Sequence, residues 1–260
     1  MKILVCVKQI PDMASKFKPN AANTWFTETD LAFRINEYDE YAVEEAIKLK
    51  ELQGAEPSDL VVLSIGPGRV VEAIKKALAM GCDRGVHIQD DESYKSDPWQ
   101  TASLIAAYAK KENFDIIFTG MQSQDRGSAQ VGVTLADALG YSCTTTVINF
   151  SFEAGIITAR RELEGGAKGV VKLKMPAVIT CQLGLNTPRY PTLPNIMKAR
   201  KKEITVLKAA DLAPEAARAV TEKFYHPVKK GGGLVLEGEP AELAGKVLEI
   251  LKEKTTVLRG

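Results

Sequence analysis

Three stretches of this chain end an apolar run and open a polar or glycine-bearing turn. They are Cys6-Val7-Lys8-Gln9-Ile10-Pro11-Asp12, Ser64-Ile65-Gly66-Pro67-Gly68, and Thr119-Gly120 through Gln130. The chemistry they suit is binding rather than bond-making. Glycine lets backbone approach a ligand closely. The loop Asp125–Gln130 opens a predicted helix, whose free N–H groups and dipole favour a phosphate. Ser123, Ser128 and Gln130 add side-chain donors. Taken singly, these glycines are ordinary turn residues. Their recurrence after successive strands points to an adenine-nucleotide cleft at the carboxyl ends of a parallel sheet.

Catalytic machinery is not evident. The chain has no GxGxxG fingerprint, no GxxxxGK[ST] loop, no SGGxDS loop and no GxSxG elbow. His87 sits in a strand-like run and His226 precedes Pro227, and both read as structural. The cysteines Cys6, Cys82, Cys143 and Cys181 form no CxxC pair, and two histidines are too few for a zinc site. Unpaired, partly apolar cysteine positions suit a reducing cytoplasm. A net charge of +1 excludes a strong overall pull towards nucleic acid or a membrane surface. The N-terminal apolar run is too short for a signal peptide, and no run of about 18 apolar residues spans a membrane. The expectation is a cytoplasmic protein without metal, nucleic-acid binding or membrane insertion.

The elements that must position the cleft follow from periodicity. Buried strands are predicted at Ile3–Val7, Leu60–Ile65, Gly85–Ile88 and Phe114–Thr119. Helices alternate with them at Glu40–Leu52, Arg69–Met80, Asp97–Lys111 and Gln130–Leu139. The third starts on a cap, a proline and a glutamine, Asp97-Pro98-Trp99-Gln100. This alternation predicts a parallel sheet covered on both faces. From Thr144 the rhythm changes. Thr146–Phe152, Ile156–Arg160, Val170–Leu173 and Ala177–Thr180 are predicted as strands of an antiparallel edge.

The segment Leu185–Lys202 carries three prolines in seven positions, Pro188, Pro191 and Pro194, which forbids a long helix or a central strand. Yet it carries Tyr190, Leu193, Ile196 and Met197. It is either a docking surface or a connector whose apolar residues tuck back beneath it. Lys198, Arg200, Lys201 and Lys202 follow. Arg160–Gly166 reads as a charged hairpin. Ala209–Lys223 is a poorly patterned helix and Gly231-Gly232-Gly233 a hinge. A final helix, Pro240–Lys254, carries Leu243, Val247, Leu248 and Leu251 on one stripe, for its own domain or another subunit.

Several of these pieces, in order, resemble the electron transfer flavoprotein beta subunit over essentially the full length. They are Val5-Cys6-Val7-Lys8-Gln9, Asn36-Glu37-Tyr38-Asp39 with Glu44-Glu45-Ala46, Ser64-Ile65-Gly66-Pro67 and Ala77 to Arg84. Gly120-Met121-Gln122, Arg161-Glu162-Leu163-Glu164-Gly165-Gly166 and Pro188 to Lys202 complete the set. The resemblance implies an α/β, doubly wound, mostly parallel sheet of the adenine-nucleotide alpha-hydrolase-like kind, with an antiparallel edge and a C-terminal helical arm. It divides the chain into a nucleotide-binding domain, 1–205, with a recognition loop at 185–202, and an extension, 206–260, packing on an alpha subunit.

The function implied is electron carriage from flavoprotein dehydrogenases, such as acyl-CoA dehydrogenases, to a membrane quinone reductase. One FAD is shared with the alpha subunit, and AMP is bound structurally. By motif position the cofactor-binding residues would be Cys6, Asn36, Glu37, Tyr38, Asp39, Ile65, Gly120, Gln122, Ser123, Gln124, Asp125, Arg126, Gly127, Ser128, Ala129, Gln130 and Val131. Tyr38 would lie near the flavin ring. Tyr190, Leu193, Ile196, Met197 and Glu162 would meet partners, with Leu193 as the anchor and Glu162 linked to flavin-domain motion. The family's nucleotide loop is often richer in acids, so Arg126 is a departure, and its added charge would favour a larger phosphate group. Two alternatives stay open: an electron-bifurcating relative with a second FAD in the cleft, and a stand-alone adenine-nucleotide-binding regulator.

Overall fold

Runs of β-branched and aliphatic residues without polar alternation can be buried only between two layers, and the computed structural model places them so. It describes residues 1–54, 56–228 and 231–256. Two compact units divide the chain, Met1–Phe224 and Tyr225–Gly260.

The first unit begins with β1 (Lys2–Cys6), β2 (Gln9–Pro11), β3 (Phe33–Ile35), α1 (Glu37–Leu52), β4 (Asp59–Gly66), α2 (Val71–Met80) and β5 (Arg84–Gln89). It continues with α3 (Pro98–Glu112), β6 (Ile116–Gly120), α4 (Val131–Leu139), β7 (Ser142–Glu153), β8 (Ile156–Glu162) and β9 (Lys168–Lys174). β10 (Ala177–Cys181), α5 (Leu193–Ala199) and β11 (Ile204–Lys208) complete it.

Among the described residues the main sheet has nine strands in the order β11-β5-β4-β1-β6-β10-β7-β8-β9. Pairing is parallel from β11 to β7 and antiparallel only for β7-β8 and β8-β9. Strand geometry sends successive side chains to opposite faces. In β1, Ile3 and Val5 therefore enter one core with α1 and α2, while Leu4 and Cys6 enter the other with α3 and α4. The doubly wound, mostly parallel α/β reading holds.

Four expectations need correction. Ala177–Thr180 is not part of the antiparallel edge. β10 lies between β6 and β7, parallel to both, with Ala177–Cys181 buried throughout. Its burial on both faces, Thr180 included, is that of an interior strand, and chain order alone put it at the edge. Ala209–Lys223 is not a helix. A single 3-10 turn, Ala209–Leu212, ends at Ala213 with φ 48°, and Pro214 follows. The expected boundary at 205 falls inside β11, which pairs with β5, so the sheet unit runs on to Phe224. Finally, the segment after Pro191 is not wholly a loop. Thr192 caps α5 by accepting the Asn195 amide at 3.4 Å, and Pro194 sits in its first turn, where a missing N–H costs nothing.

The second unit contains α6 (Pro240–Lys254), in which no residue is buried. Val247, Leu248 and Leu251 of its apolar stripe are exposed.

Candidate functional site

The site is assembled by the start of α1. Helix α1 begins three residues earlier than periodicity predicted, at Glu37. Asn36, the N-cap residue, makes no side-chain cap bond. Its amide turns instead to the loop after β6, donating to the Gln122 carbonyl at 2.9 Å and accepting the Gln124 N–H at 3.0 Å. One turn on, the Asp39 carboxylate accepts the Lys8 N–H at 2.7 Å and the Gly120 N–H at 3.1 Å. These two side chains fasten the end of β1 to the end of β6. Gly120 is required there, because a Cβ would lie 2.8 Å from the Tyr38 Cβ and run into Asp39 itself. Burial pushes the Asp39 carboxyl up to about 7, against the opposing pull of its amide partners.

The loop that follows is held by charge. Lys8 Nζ contacts both oxygens of Asp125 at 2.7 Å and donates to Ser123 Oγ at 3.3 Å. Burial lowers the basicity of Lys8, and Asp125 partly restores it. Gly127 (φ 62°) and Ala129 (φ 53°) turn the chain into α4 through left-handed conformations. Gln130 leaves the N-terminus of α4 without a side-chain cap. A Cβ at Gly132 would come within 2.6 Å of Thr180 and 2.8 Å of the Thr119 hydroxyl, so glycine lets this first turn press onto β6 and β10. Free N–H groups and the positive end of the helix dipole thus open onto a cleft.

That cleft has a volume of about 490 Å³, within the usual range for a small-molecule site. Of the predicted residues, Cys6, Asn36, Asp39 and Ile65 line it from the strand ends and α1. Gly120, Gln122, Ser123, Asp125, Arg126, Ser128, Ala129, Gln130 and Val131 line it from the loop and α4. Glu37, Tyr38, Gln124 and Gly127 do not. Glu37 and Tyr38 stand behind the loop, with Gln124 donating to Glu37 at 2.9 Å and Gln122 to the Tyr38 hydroxyl at 3.1 Å. The Cys6 thiol is buried, and burial raises its pKa far above the usual thiol range, so it acts as a small apolar wall.

One wall was not foreseen. A strap between β2 and β3 carries Trp25 and Phe26, whose rings lie 4.3 Å apart, and Trp25 stacks on Tyr94 at 6.1 Å. Arg69 covers the Phe33 ring at 3.9 Å and pairs with Glu28 at 2.9 Å. Aromatics concentrated in an otherwise polar stretch (Phe17, Trp25, Phe26, Phe33) were the available signal.

The predicted partner surface lies outside the cleft. Arg189 forks onto Glu44 at 2.9 Å and Glu51 at 2.6 Å, and Asn186 donates to Glu45 at 2.8 Å. This base is fixed to α1, while Tyr190 and Leu193 are 93% and 78% exposed and Met197 is also exposed. Ile196 is at the margin of exposure. Lys202 is not a free steering charge as expected: its ammonium donates to the Leu78 carbonyl at 3.0 Å and to that of Cys82, capping α2. Glu162, at the end of β8, accepts from the Gln182 amide at 3.1 Å. Gly165 and Gly166, both at positive φ, make the hairpin beside it. Among the described residues, no group of three or more His, Cys, Asp or Glu side chains is placed to hold a metal, and no helix is long and apolar enough to cross a membrane.

Comparison with known proteins accords with this geometry. The electron transfer flavoprotein domain family matches residues 24–212. The electron transfer flavoprotein subunit beta of Methylophilus methylotrophus is 35% identical over 262 residues, covering 97% of this chain and 98% of its own. The subunit beta of Bacillus subtilis is 37% identical over 230 residues, covering 86% and 88%. That of Homo sapiens is 35% identical over 253 residues, covering 96% and 98%.

The raised Asp39 carboxyl sets a pH dependence. The folded state keeps this proton up to about pH 7, whereas an unfolded aspartate loses it near the model-peptide value of about 3.9. The stability contributed by the group is therefore complete below about pH 4 and is lost as pH rises towards 7. Urea titrations of the wild type and of Asp39→Asn across this window should show the difference in stability shrinking with pH, by up to about 1.4 kcal/mol per unit. A difference independent of pH would show that Asp39 is ionised throughout.

Proposed function

The chain belongs to the electron transfer flavoprotein family as a beta subunit, and from that premise we propose that it works in a heterodimer with an alpha subunit. The heterodimer carries electrons from flavoprotein dehydrogenases, such as those oxidising acyl-CoA, to a membrane quinone reductase, and it works in the cytoplasm. The FAD of such a heterodimer supplies the redox chemistry. This chain holds no catalytic residue; it helps to enclose the flavin, with Tyr38 beside the ring and Glu162 at the moving flavin domain.

The cleft holds AMP as a structural ligand. The observation that carries this reading is the uncapped N-terminus of α4, pressed against the sheet at Gly132 and opening onto the cleft where β1, β4 and β6 end. The residues present fit a monophosphate and a purine: N–H donors and Ser128 at one end, and Ile65, Cys6 and the strap aromatics as apolar walls. AMP here stabilises the strand-end loops and takes no part in electron transfer.

Docking to the dehydrogenase falls to α5 and the residues just before it. Leu193 is a large exposed apolar side chain on a segment fixed by Pro191, Pro194 and the Arg189 fork, so little ordering entropy opposes its insertion into a partner pocket. Lys198, Arg200 and Lys201 steer an acidic partner. The exposed stripe of α6 covers the alpha subunit.

Denaturing the purified heterodimer and quantifying released nucleotides should give one AMP and one FAD. Two FAD and no AMP would replace this reading with the bifurcating one. Truncation before Leu234 should abolish co-purification of the alpha subunit while the sheet unit retains its circular dichroism, and an intact heterodimer would refute the role of α6. Burying a leucine contributes about 1.5–3 kcal/mol, so Leu193→Ala should weaken dehydrogenase docking roughly tenfold or more, with flavin retained. Electron-transfer kinetics against carrier concentration measure this; unchanged kinetics would remove the docking role.

A further inference from the structure

Nearly every charge in the cleft is neutralised where it stands, and the exception shows what its ligand must bring. Lys8 is committed to both oxygens of Asp125, and Arg69 to Glu28. Asp97 caps α3, one oxygen accepting the Gln100 amide at 2.8 Å and the other the Arg218 and Ala219 amides at 2.7 and 2.9 Å. Asp39 is held by the Lys8 and Gly120 amides. Asp91, on the rim, is exposed and screened by water.

Arg126 differs. Among the described residues lining the cleft, it is the one lysine or arginine without an ion pair. Its guanidinium lies over the Trp25 ring, 4.5 Å from the centroid, and one amino group donates to the Tyr94 carbonyl. A guanidinium has five N–H donors, so most stay unused. Asp125 and Asp97 favour its charged form, but burial outweighs them and lowers its basicity. A half-buried cation in this state is unfavourable until an anion joins it. The anchors on Trp25 and Tyr94 fix the plane of the fork, which suits bidentate contact with a phosphate.

We infer that Arg126 is the counter-ion of the ligand's phosphate and matches the cleft to one phosphate group rather than none or two. This rests on the nucleotide reading above and adds its specificity. The charges agree in size. Arg126 supplies +1 and the N-terminus of α4 about +0.5, against about −1.5 to −2 for a phosphate monoester at pH 7. A nucleoside leaves Arg126 unpaired. A second phosphate adds charge beside Asp97 and Asp125 with no cation left to receive it.

The test is displacement of labelled AMP from the heterodimer by adenosine, AMP and ADP, at fixed ionic strength, with thermal unfolding recorded for each variant. In the wild type, AMP should displace at least about tenfold better than either competitor. Arg126→Gln should cut the advantage of AMP over adenosine by about tenfold, and Arg126→Lys, which keeps the charge, should retain most of it. Equal or better displacement by ADP in the wild type overturns the inference even if the glutamine variant fails to fold. So does an unchanged AMP-to-adenosine ratio in a folded glutamine variant, and in both cases the nucleotide cleft itself stands. If no labelled AMP binds the wild type, the nucleotide reading falls and the inference with it.

Discussion

The bridge made by Asp39 is the constraint on which the cleft depends. One carboxylate holds the backbone N–H of Lys8 after β1 and that of Gly120 at the end of β6. Two loops that leave adjacent parallel strands have no hydrogen-bonding ladder of their own beyond the sheet. Left alone, they would satisfy their amides with water and move apart. A buried acceptor shared between them fixes their separation, and Asn36 repeats the device for Gln122 and Gln124. The cost is desolvation of a carboxylate, visible in its raised pKa. A buried carboxyl whose desolvation is only partly offset by its amide donors is the kind of perturbed group that clefts collect.

Helix α1 extends that constraint across the molecule. Its first turn shapes the cleft, and its later turns hold the proline-rich segment before α5 through Glu44, Glu45 and Glu51. Glu44 is buried, and its partner Arg189 is half-buried, so this pair is less screened than an exposed surface bridge. A rigid helix gripped at both ends keeps the two surfaces at fixed positions. Glu44 and Glu51, seven residues apart, hold Arg189 from one face of α1, while Ala42, Val43, Ala46 and Ile47 serve the core from another, and Asp39 lies on that core face in the first turn.

The insertion of β10 between β6 and β7 matters to the same end. It brings Thr180 against Gly132, so α4 can seat its N-terminus at the sheet's carboxyl edge. It also places Gln182 beside Glu162, linking the cleft side of the sheet to the β8–β9 hairpin.

Local pattern determined the parallel core, the helices between its strands, the cap at Asp97 and a glycine-bearing loop, Gly120–Val131, at the carboxyl ends of the strands, because period, capping and turn chemistry act over a few residues. The sequence motifs also identified the family, since Arg161–Gly166 and Pro188–Lys202 are specific strings. Only the tertiary structure decided that Ala177–Cys181 is an interior strand, that Ile204–Lys208 joins the sheet, and that Asn36 serves a loop rather than its helix. It also decided that the strap aromatics line the cleft, that Lys202 caps a helix, and that Arg126, alone among the described lysines and arginines lining the cleft, has no ion pair. Each of these depends on a partner tens of residues away: Gly85 for Ile204, Gln122 for Asn36, Cys82 for Lys202. Strand order and charge pairing are long-range choices made by packing and desolvation, and a linear pattern records the side chains without recording which of them will meet.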